Sequence, residues 1–261
     1  MKVRGERECT DCGTRWSYYD TGEVACPDCG SLRSVGIEPD RKRHTDAPAT
    51  LDLSRFREAI ADAEPGRGAD ADLEGIDEIA VELGSTLREY LRKRGFIRGG
   101  ELLPLDDTYL AARELLEVVD VYRRLRVPDE ASSLYLLELL EGVDDGDRPD
   151  TDSVPPQLAS ARGLAVATVV EAYRDEMVTY LGDREKATGT GDEALGTDGT
   201  DVTTVLGRLR DRTKRVRALD GDVDPAEAET LVDAAREIGA FLRKDDLDAL
   251  ARAHDRLADV E

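Results

Sequence analysis

The sequence has no long apolar run and no apolar stretch at its N-terminus. Across its 261 residues, no apolar run approaches the ~20 residues that a helix needs to cross a bilayer. The first ten residues, MKVRGERECT, lack the apolar segment of a secretion signal. We therefore expect a soluble, cytoplasmic protein with no membrane partner. Because 40% of the residues are hydrophobic, the chain can form a packed core, and wholesale disorder is not expected.

The sequence also lacks the patterns that accompany common catalytic sites. It has two histidines, His44 and His254, and neither stands in a metal-binding or catalytic motif. It contains no P-loop, no H-E-x-x-H, no G-x-S-x-G and no complete G-x-G-x-x-G. Its four cysteines occur as two pairs, so no fifth thiol is left to act as a nucleophile. These absences predict a protein that is not an enzyme.

Asparagine is absent, glutamine occurs once, and lysine is rare. Six lysines accompany 30 arginines, and these 36 basic residues face 58 acidic ones, which gives a net charge of −22. This Asp-rich, Lys-poor composition resembles that of proteins from extreme halophiles, especially haloarchaea. The alternative is an ordinary acidic protein from a GC-rich genome. At about 1 M salt the Debye length is ~3 Å, so the net charge steers ligands weakly and indicates a habitat rather than a partner.

Cysteine is scarce, but all four cysteines lie in one short pattern. Cys9 and Cys12 form a first C-x2-C pair, and Cys26 and Cys29 form a second after thirteen intervening residues. Two such turns complete a tetrahedron of thiolates, which suits Zn²⁺. Each pair is followed by glycine, at a position that tends to need a positive φ. The alternatives are two disulfides, which a reducing cytosol disfavours, or four unrelated thiols. The spacing predicts one Zn²⁺ per chain and a zinc ribbon over residues 1–37.

The doubled C-x-x-C-G, with Pro27 in the second copy, resembles the iron site of rubredoxins and the tail module of rubrerythrins. This resemblance implies iron as a minor alternative to zinc, and with it a rubredoxin-like electron-transfer module. A rubrerythrin would also need Glu-x-x-His pairs for a di-iron centre. Neither histidine has a glutamate at that spacing, so the di-iron interpretation is excluded.

The run Gly22-Glu23-Val24-x-Cys-x-x-Cys-Gly resembles the zinc ribbon of transcription factor IIB, over about residues 9–37. In that factor the ribbon docks on RNA polymerase, and two cyclin-like repeats bind promoter DNA. No duplicated cyclin-like unit is apparent here, so the resemblance implies the ribbon and its docking role alone. The complete layout, a ribbon followed by an acidic helical body, resembles an uncharacterised haloarchaeal family of zinc-ribbon-containing proteins.

The rest of the chain is predicted to be mostly α-helical, a bundle of about seven to eight helices behind the small β-ribbon. Residues 130–141 are apolar on most sides, so we expect this helix at the centre of the bundle. No strand-like alternation is apparent after the ribbon. The predicted organisation is a zinc ribbon over 1–37, a linker over 38–50, a helical bundle over 51–181, a flexible low-complexity linker over 182–200 and a C-terminal three-helix segment over 201–261.

Aromatic and basic residues in and after the ribbon form a candidate interaction surface. It comprises Arg15, Trp16, Tyr18, Tyr19, Arg41, Lys42 and Arg43. Such residues suit a contact with protein or single-stranded nucleic acid. The favoured alternative for Trp16, the single tryptophan, is a small core over the metal-binding turns. For the basic run, the favoured alternative is a solvated segment or one paired with nearby carboxylates.

These observations favour a zinc-binding, non-enzymatic interaction protein with an unidentified protein partner. A role near transcription rests on the ribbon resemblance alone. Two alternatives stay open. One is the rubredoxin-like iron module, and the other is a nucleic-acid-binding protein that uses basic residues of the first 43 positions together with Trp16. The residues that would contact nucleic acid are Arg4, Arg7, Arg15, Trp16 and Arg41–Arg43.

Overall fold

The computed structural model describes residues 1–62, 69–125, 127–188 and 201–258. Residues 1–43 form a small β-rich unit, called here the N-terminal module. Its elements are β1 (Lys2–Val3), β2 (Glu6–Cys9), β3 (Arg15–Ser17), the one-turn helix α1 (Tyr18–Thr21), β4 (Ser34–Gly36) and β5 (Lys42–Arg43). Strand β2 is central in the antiparallel sheet β3-β2-β4, and β1 pairs antiparallel with β5. The predicted β-ribbon region at the N-terminus is therefore present.

Helices dominate the rest of the described chain, which confirms the predicted fold class. The described residues contain nine α-helices including α1, slightly more than the seven to eight predicted. The eight helices after the module are α2 (Ser54–Asp62), α3 (Ala69–Lys93), α4 (Asp107–Tyr122), α5 (Glu130–Gly142), α6 (Ala159–Thr188), α7 (Val202–Ala218), α8 (Pro225–Lys244) and α9 (Leu247–Ala258).

Helix α6 lies at the centre of the helical body. It packs against α4, α7 and α8, and its Tyr173 and Met177 side chains are fully buried. Helix α8 begins where the sequence signals a start. The Asp224 side chain accepts a hydrogen bond from the backbone N–H of Ala226 at 2.8 Å, and Pro225 occupies the first turn.

The expectation that residues 130–141 lie at the centre was wrong. Helix α5 packs on α4 and on the short 3-10 turn that follows α5, at the edge of the body. Its Leu134 and Leu137 are 59% and 44% exposed. The 30-residue α6 occupies the centre instead, with its Ala161 and Ala165 fully buried. Apolar character on most sides of a helix indicates a preference for burial, but it does not say how many neighbours will cover that helix.

A short hairpin that the sequence did not predict stands inside the helical body. Strands β6 (Ile97–Arg98) and β7 (Glu101–Leu102) pair antiparallel around Gly99 and Gly100. These two glycines have φ values of +57° and +90°, which other residues adopt only at a cost. Strands of two residues are too short to show alternating hydrophobicity, so only the Gly-Gly pair could have indicated the turn.

The N-terminal module docks on the helical body through the segment predicted as a linker. Asp46 is fully buried and accepts hydrogen bonds from Arg94 Nε at 2.6 Å and from Arg98. Thr45 Oγ1 donates to Glu176 Oε2 on α6 at 2.7 Å. Residues 38–50 therefore make ordered contacts with both parts of the chain, while the domain boundaries themselves stay a prediction.

The second predicted linker, residues 182–200, falls largely outside the described residues. Residues 182–188 continue helix α6, and residues 189–200 are not described. Among the described helices, none combines the length and the apolar character that a bilayer-crossing helix requires.

Candidate metal centre

The two cysteine pairs come together on two turns of the N-terminal module. The Sγ atoms of Cys9, Cys12, Cys26 and Cys29 all lie within 4.8 Å of one another, so the four residues could bind a metal ion. Cys9 ends β2, which carries the first turn, and the second turn precedes β4. Because β4 pairs with β2, the sheet holds the two turns side by side.

The two turns have the same backbone hydrogen bonds. In the first, Gly13 N–H donates to Cys9 C=O at 3.0 Å, and Cys9 N–H donates to Thr14 C=O at 2.9 Å. In the second, Gly30 N–H donates to Cys26 C=O at 2.9 Å, and Cys26 N–H donates to the C=O of the residue after the glycine at 2.9 Å. Each turn therefore presents its pair of sulfurs in the same way, which produces a nearly symmetric set of four donors.

Glycine is required at the end of each turn. Gly13 has a φ of +79° and Gly30 a φ of +71°, as expected from their positions after the cysteine pairs. A Cβ at either position would meet open space, so the constraint comes from the backbone angle and not from crowding.

Two of the six sulfur separations are close to those around a tetrahedral ion. The Cys9–Cys29 and Cys12–Cys26 Sγ atoms are 3.7 Å and 3.5 Å apart. A tetrahedral ion with metal–sulfur bonds of ~2.3 Å holds its sulfurs about 3.8 Å apart. All four thiols are free rather than paired as disulfides. The donor set is entirely sulfur, which fits soft or borderline ions and not Mg²⁺ or Ca²⁺.

Neighbouring groups act differently on the two exposed thiols. The Thr14 hydroxyl, 3.3 Å from Cys12 Sγ, and the Thr14 backbone N–H lower the pKa of Cys12 to about 6. The Ser31 backbone N–H lowers the pKa of Cys29, but Cys12, burial and the other two cysteines together outweigh it and raise that pKa to about 12. Adjacent thiolates repel one another unless a cation lies between them, so all four thiols ionise together most readily around a bound ion.

Trp16 covers the inner side of the cysteine cluster. Cys9, Trp16 and Cys26 form one buried group, in which Trp16 is 7% exposed. The indole Nε1 donates to the backbone oxygen of Glu23 at 3.0 Å. This is the arrangement expected of a small core over the metal-binding turns, and it removes the indole from the module surface.

The predicted interaction residues lie in different environments. Tyr19 is 9% exposed, and its hydroxyl donates to Val3 O at 3.1 Å, while burial raises the pKa of that hydroxyl to about 12. Tyr18 packs edge-on against the His44 ring, with ring centroids 5.6 Å apart. Arg15 is exposed and bonds Glu8 on β2 at 2.6 Å. The two rings therefore help to join the module to the segment after it, and Arg15 stays accessible.

The basic run lies beside β1 and faces helix α6. Arg43 Nε bonds Asp183 Oδ2 at 2.7 Å, and Lys42 lies 3.8 Å from Glu38. Arg41 is exposed. The sequence reasoning missed Asp183 because it lies 140 residues from Arg43, and no local pattern marks such a partner.

Residues 1–257 match the model of a family described as a family of unknown function, DUF7117. The match covers nearly the whole chain, so this protein belongs to that family. No curated protein and no solved structure matches the chain. The family model spans the N-terminal module and the helical body together, and it is not a model of the transcription factor IIB ribbon.

Proposed function

We propose that this member of the family is a zinc-binding, non-enzymatic interaction protein whose N-terminal module presents a surface to a protein partner. The observation that carries the proposal is the all-sulfur cluster of four cysteines on two matched turns. A closed tetrahedron of thiolates leaves no coordination position for water or substrate, which is typical of structural zinc. Free thiols are also consistent with a reducing, cytoplasmic location.

Zinc would act as a cross-link between the two turns. Cys9 and Cys12 would hold it from one side, and Cys26 and Cys29 from the other. The module has few buried apolar residues of its own, so an ion that joins both turns would contribute much of its stability. The rubredoxin-like alternative uses the same four ligands, and sulfur geometry alone does not separate iron from zinc.

Metal analysis of protein purified from its native host separates the two ions. We expect one zinc per chain and a colourless solution. A Cys26→Ser variant should lose zinc, whereas Ser31→Ala, in the same turn, should keep it. A red protein with visible charge-transfer bands and one iron per chain would overturn the zinc assignment.

Exposed apolar side chains on the module support a protein-binding role. Besides Met1, they are Val24, Leu32, Val35 and Ile37, which are 43%, 75%, 51% and 42% exposed. Val35 lies on β4, an edge strand of the sheet, and Ile37 follows two positions later on the same side by strand alternation. Val35 and Ile37 therefore form an exposed apolar pair at the edge of the sheet, and adjacent exposed apolar groups of this kind suit a contact surface.

The partner is tested by affinity capture at high salt with matched variants. Wild-type protein should retain a specific partner that Leu32→Asp/Val35→Asp loses. The control Val127→Asp/Leu134→Asp changes two exposed apolar residues of the helical body and should retain it. An RNA polymerase subunit among the captured proteins would support the transcription-related role. A partner captured equally by all three proteins would contradict the assignment of the surface to the module.

A further inference from the structure

A cavity of about 350 Å³ lies between the N-terminal module and the helical body. Its walls come from β1 and β5 of the module, from the β6–β7 hairpin and from the C-terminal half of α6. Its volume is at the lower end of the range for small-molecule sites, roughly 300–1,000 Å³. The cavity is separate from the cysteine cluster, since no cysteine lines it.

The lining is basic in a protein whose net charge is −22. The five basic side chains that line it are Lys2, Arg41, Lys42, Arg43 and Arg184, and the two acidic ones are Glu101 and Asp183. Among the lining side chains alone the excess of positive charge is three, and two carboxylates outside the lining, Asp245 and Glu38, pair with Arg184 and Lys42. A concave basic site within an acidic surface attracts anions locally, and its walls reduce screening by salt compared with an open surface.

Part of this charge is fixed in place by Asp183. Its carboxylate bonds Lys2 Nζ at 2.9 Å and Arg43 Nε at 2.7 Å, and these two partners, Arg43 first, lower the pKa of Asp183 to about 2. The carboxylate thus stays ionised and holds two cations in position at the cavity wall. Within the described chain, Arg43 uses only its Nε in this way and makes no hydrogen bond through its Nη groups.

Two cations of the lining, Arg41 and Lys42, have little or no internal pairing, whereas Arg184 pairs with Asp245 at 3.2 Å. The Arg41 guanidinium makes no hydrogen bond or ion pair with the rest of the described chain, and it is exposed. Lys42 has one carboxylate neighbour, Glu38, at the long distance of 3.8 Å. In a chain with 58 acidic residues, two adjacent cations that face a cavity with so little pairing are available to an anionic ligand.

The walls are rigid enough to act as a preformed site. Strand β5 pairs with β1, so that Lys2 lies opposite Arg43 in the ladder. On its other side, Gly100 N–H donates to Arg43 C=O at 2.8 Å, which ties the β6–β7 turn to the same strand. The half-buried Tyr180 adds an aromatic ring and a hydroxyl from α6. Basic groups held on strands and a helix are well placed to bind phosphate oxygens.

We propose that this cavity binds a small molecule that carries a diphosphate or triphosphate group. The three excess positive charges suit a polyphosphate better than a single carboxylate. The cavity size and the ring of Tyr180 suit a ligand no larger than a nucleotide. The proposal is independent of the zinc-binding role, because its lining residues and the metal ligands do not overlap.

Titration calorimetry on the full-length, metal-loaded protein tests this site, with pyrophosphate, ATP and a single-stranded oligonucleotide as probes. The lowest salt concentration that keeps the protein folded should be used. We expect saturable binding of pyrophosphate or ATP at one site per chain. Equal binding of the two would assign recognition to the phosphates alone, and tighter ATP binding would add a contact to the nucleoside. Binding of the oligonucleotide without either small molecule would overturn the proposal.

Charge variants locate the ligand. Arg41→Gln/Lys42→Gln should weaken binding by roughly tenfold or more, because it removes two charges next to the phosphates. Glu101→Gln removes a carboxylate from the lining and should strengthen binding. The control Arg15→Gln/Arg33→Gln removes two exposed charges from the same module outside the cavity and should leave the affinity within about twofold. Equal losses in both double variants, or no effect of any variant, would overturn the site.

Discussion

At the residue scale, His44 is a buried histidine with unusual surroundings. It is 6% exposed, and neither ring nitrogen has a hydrogen-bond partner among the described residues. Burial lowers the pKa of His44, and so do Arg98 and the N-terminal ammonium, whereas Asp46 and Asp20 oppose them. The ring also packs against two tyrosines of the module. A neutral imidazole is therefore favoured where the module meets the segment that follows it.

We expect the stability of the protein to fall as the pH drops below the ordinary histidine pKa of 6.5. The unfolded chain then takes up a proton that folded His44 does not, so the free energy of unfolding decreases as pH falls. When the pH falls from about 7.5 to about 5.5, the free energy of unfolding should decrease less in His44→Phe than in wild type. The difference between the two decreases should be on the order of 1 kcal/mol. Urea unfolding at each pH measures this. Parallel curves for the variant and the wild type would refute the expectation.

Glu114 is the centre of a second buried polar group, which joins four helices and the loop before α6. It is fully buried and accepts hydrogen bonds from Tyr135, from Arg148 Nη1 at 3.0 Å and from Arg162 Nη1 at 3.4 Å. Glu229 on α8 pairs with both arginines. Arg162 is itself 2% exposed, so its charge depends on these two carboxylates.

Removing the Glu114 carboxylate should destabilise the helical body strongly. Glu114→Ala leaves Arg162 buried beside a single, partly exposed carboxylate, and such losses cost about 3–5 kcal/mol. Urea unfolding monitored by circular dichroism gives the change in the free energy of unfolding. The exposed Glu138→Ala on α5 is the control and should stay within about 0.5 kcal/mol of wild type. A loss below about 1 kcal/mol in Glu114→Ala would mean that the pair contributes little.

At the element scale, the N-terminal module and the helices depend on different interactions. The helices share one large apolar core, whereas the buried cluster beside the metal site consists of Cys9, Trp16 and Cys26. The single tryptophan of the chain therefore reports on the module alone. Far-ultraviolet circular dichroism reports mainly on the helices.

Metal removal should consequently unfold the module and spare the helices. A zinc chelator should shift the fluorescence of Trp16 to longer wavelength, because the indole loses its cover and its bond to Glu23. The helical circular dichroism signal should fall by no more than about a tenth. Adding back zinc should restore the emission, and concentrated urea should abolish both the native emission and the helical signal. Simultaneous loss of fluorescence and helicity on chelation would show that the two parts fold as one unit.

The sequence predicted the elements whose signals are local. The two cysteine turns and the Asp224 cap each depend on residues within a few positions, so their spacing was sufficient. The exposed face of α5 and the β6–β7 hairpin were missed, because the first depends on which helices cover it and the second is too short for a periodic pattern. The residues that line the cavity could not be predicted from the sequence, for another reason. Its cations come from the module and from α6, which are distant in sequence.

At the scale of the whole molecule, the carboxylates outnumber the basic groups that could pair with them. The net charge is −22, and many of the ion pairs lie at the surface. Exposed pairs of this kind contribute about 0–1 kcal/mol each. Repulsion among the remaining carboxylates favours expansion of the chain in dilute buffer. Concentrated salt screens that repulsion over distances beyond a few ångströms.

The thermal stability should therefore rise with salt. Between about 0.1 M and about 2 M KCl we expect Tm to increase by ~5–10 °C, equivalent to roughly 2–4 kcal/mol for a chain of this size. Calorimetry at both concentrations measures the shift. An unchanged or lower Tm in KCl would contradict the interpretation of the acidic composition as an adaptation to salt.

The β1–β5 ladder has a consequence for the order in which the molecule folds. It joins residues 2–3 to residues 42–43, whereas each cysteine turn spans only a few positions. Closing a long loop costs more chain entropy than closing a short one. The turns should therefore form first, and capture of an ion would shorten the loop that the ladder must still close. The ladder then completes the wall that meets α6, so the cavity is the last part of this region to be assembled.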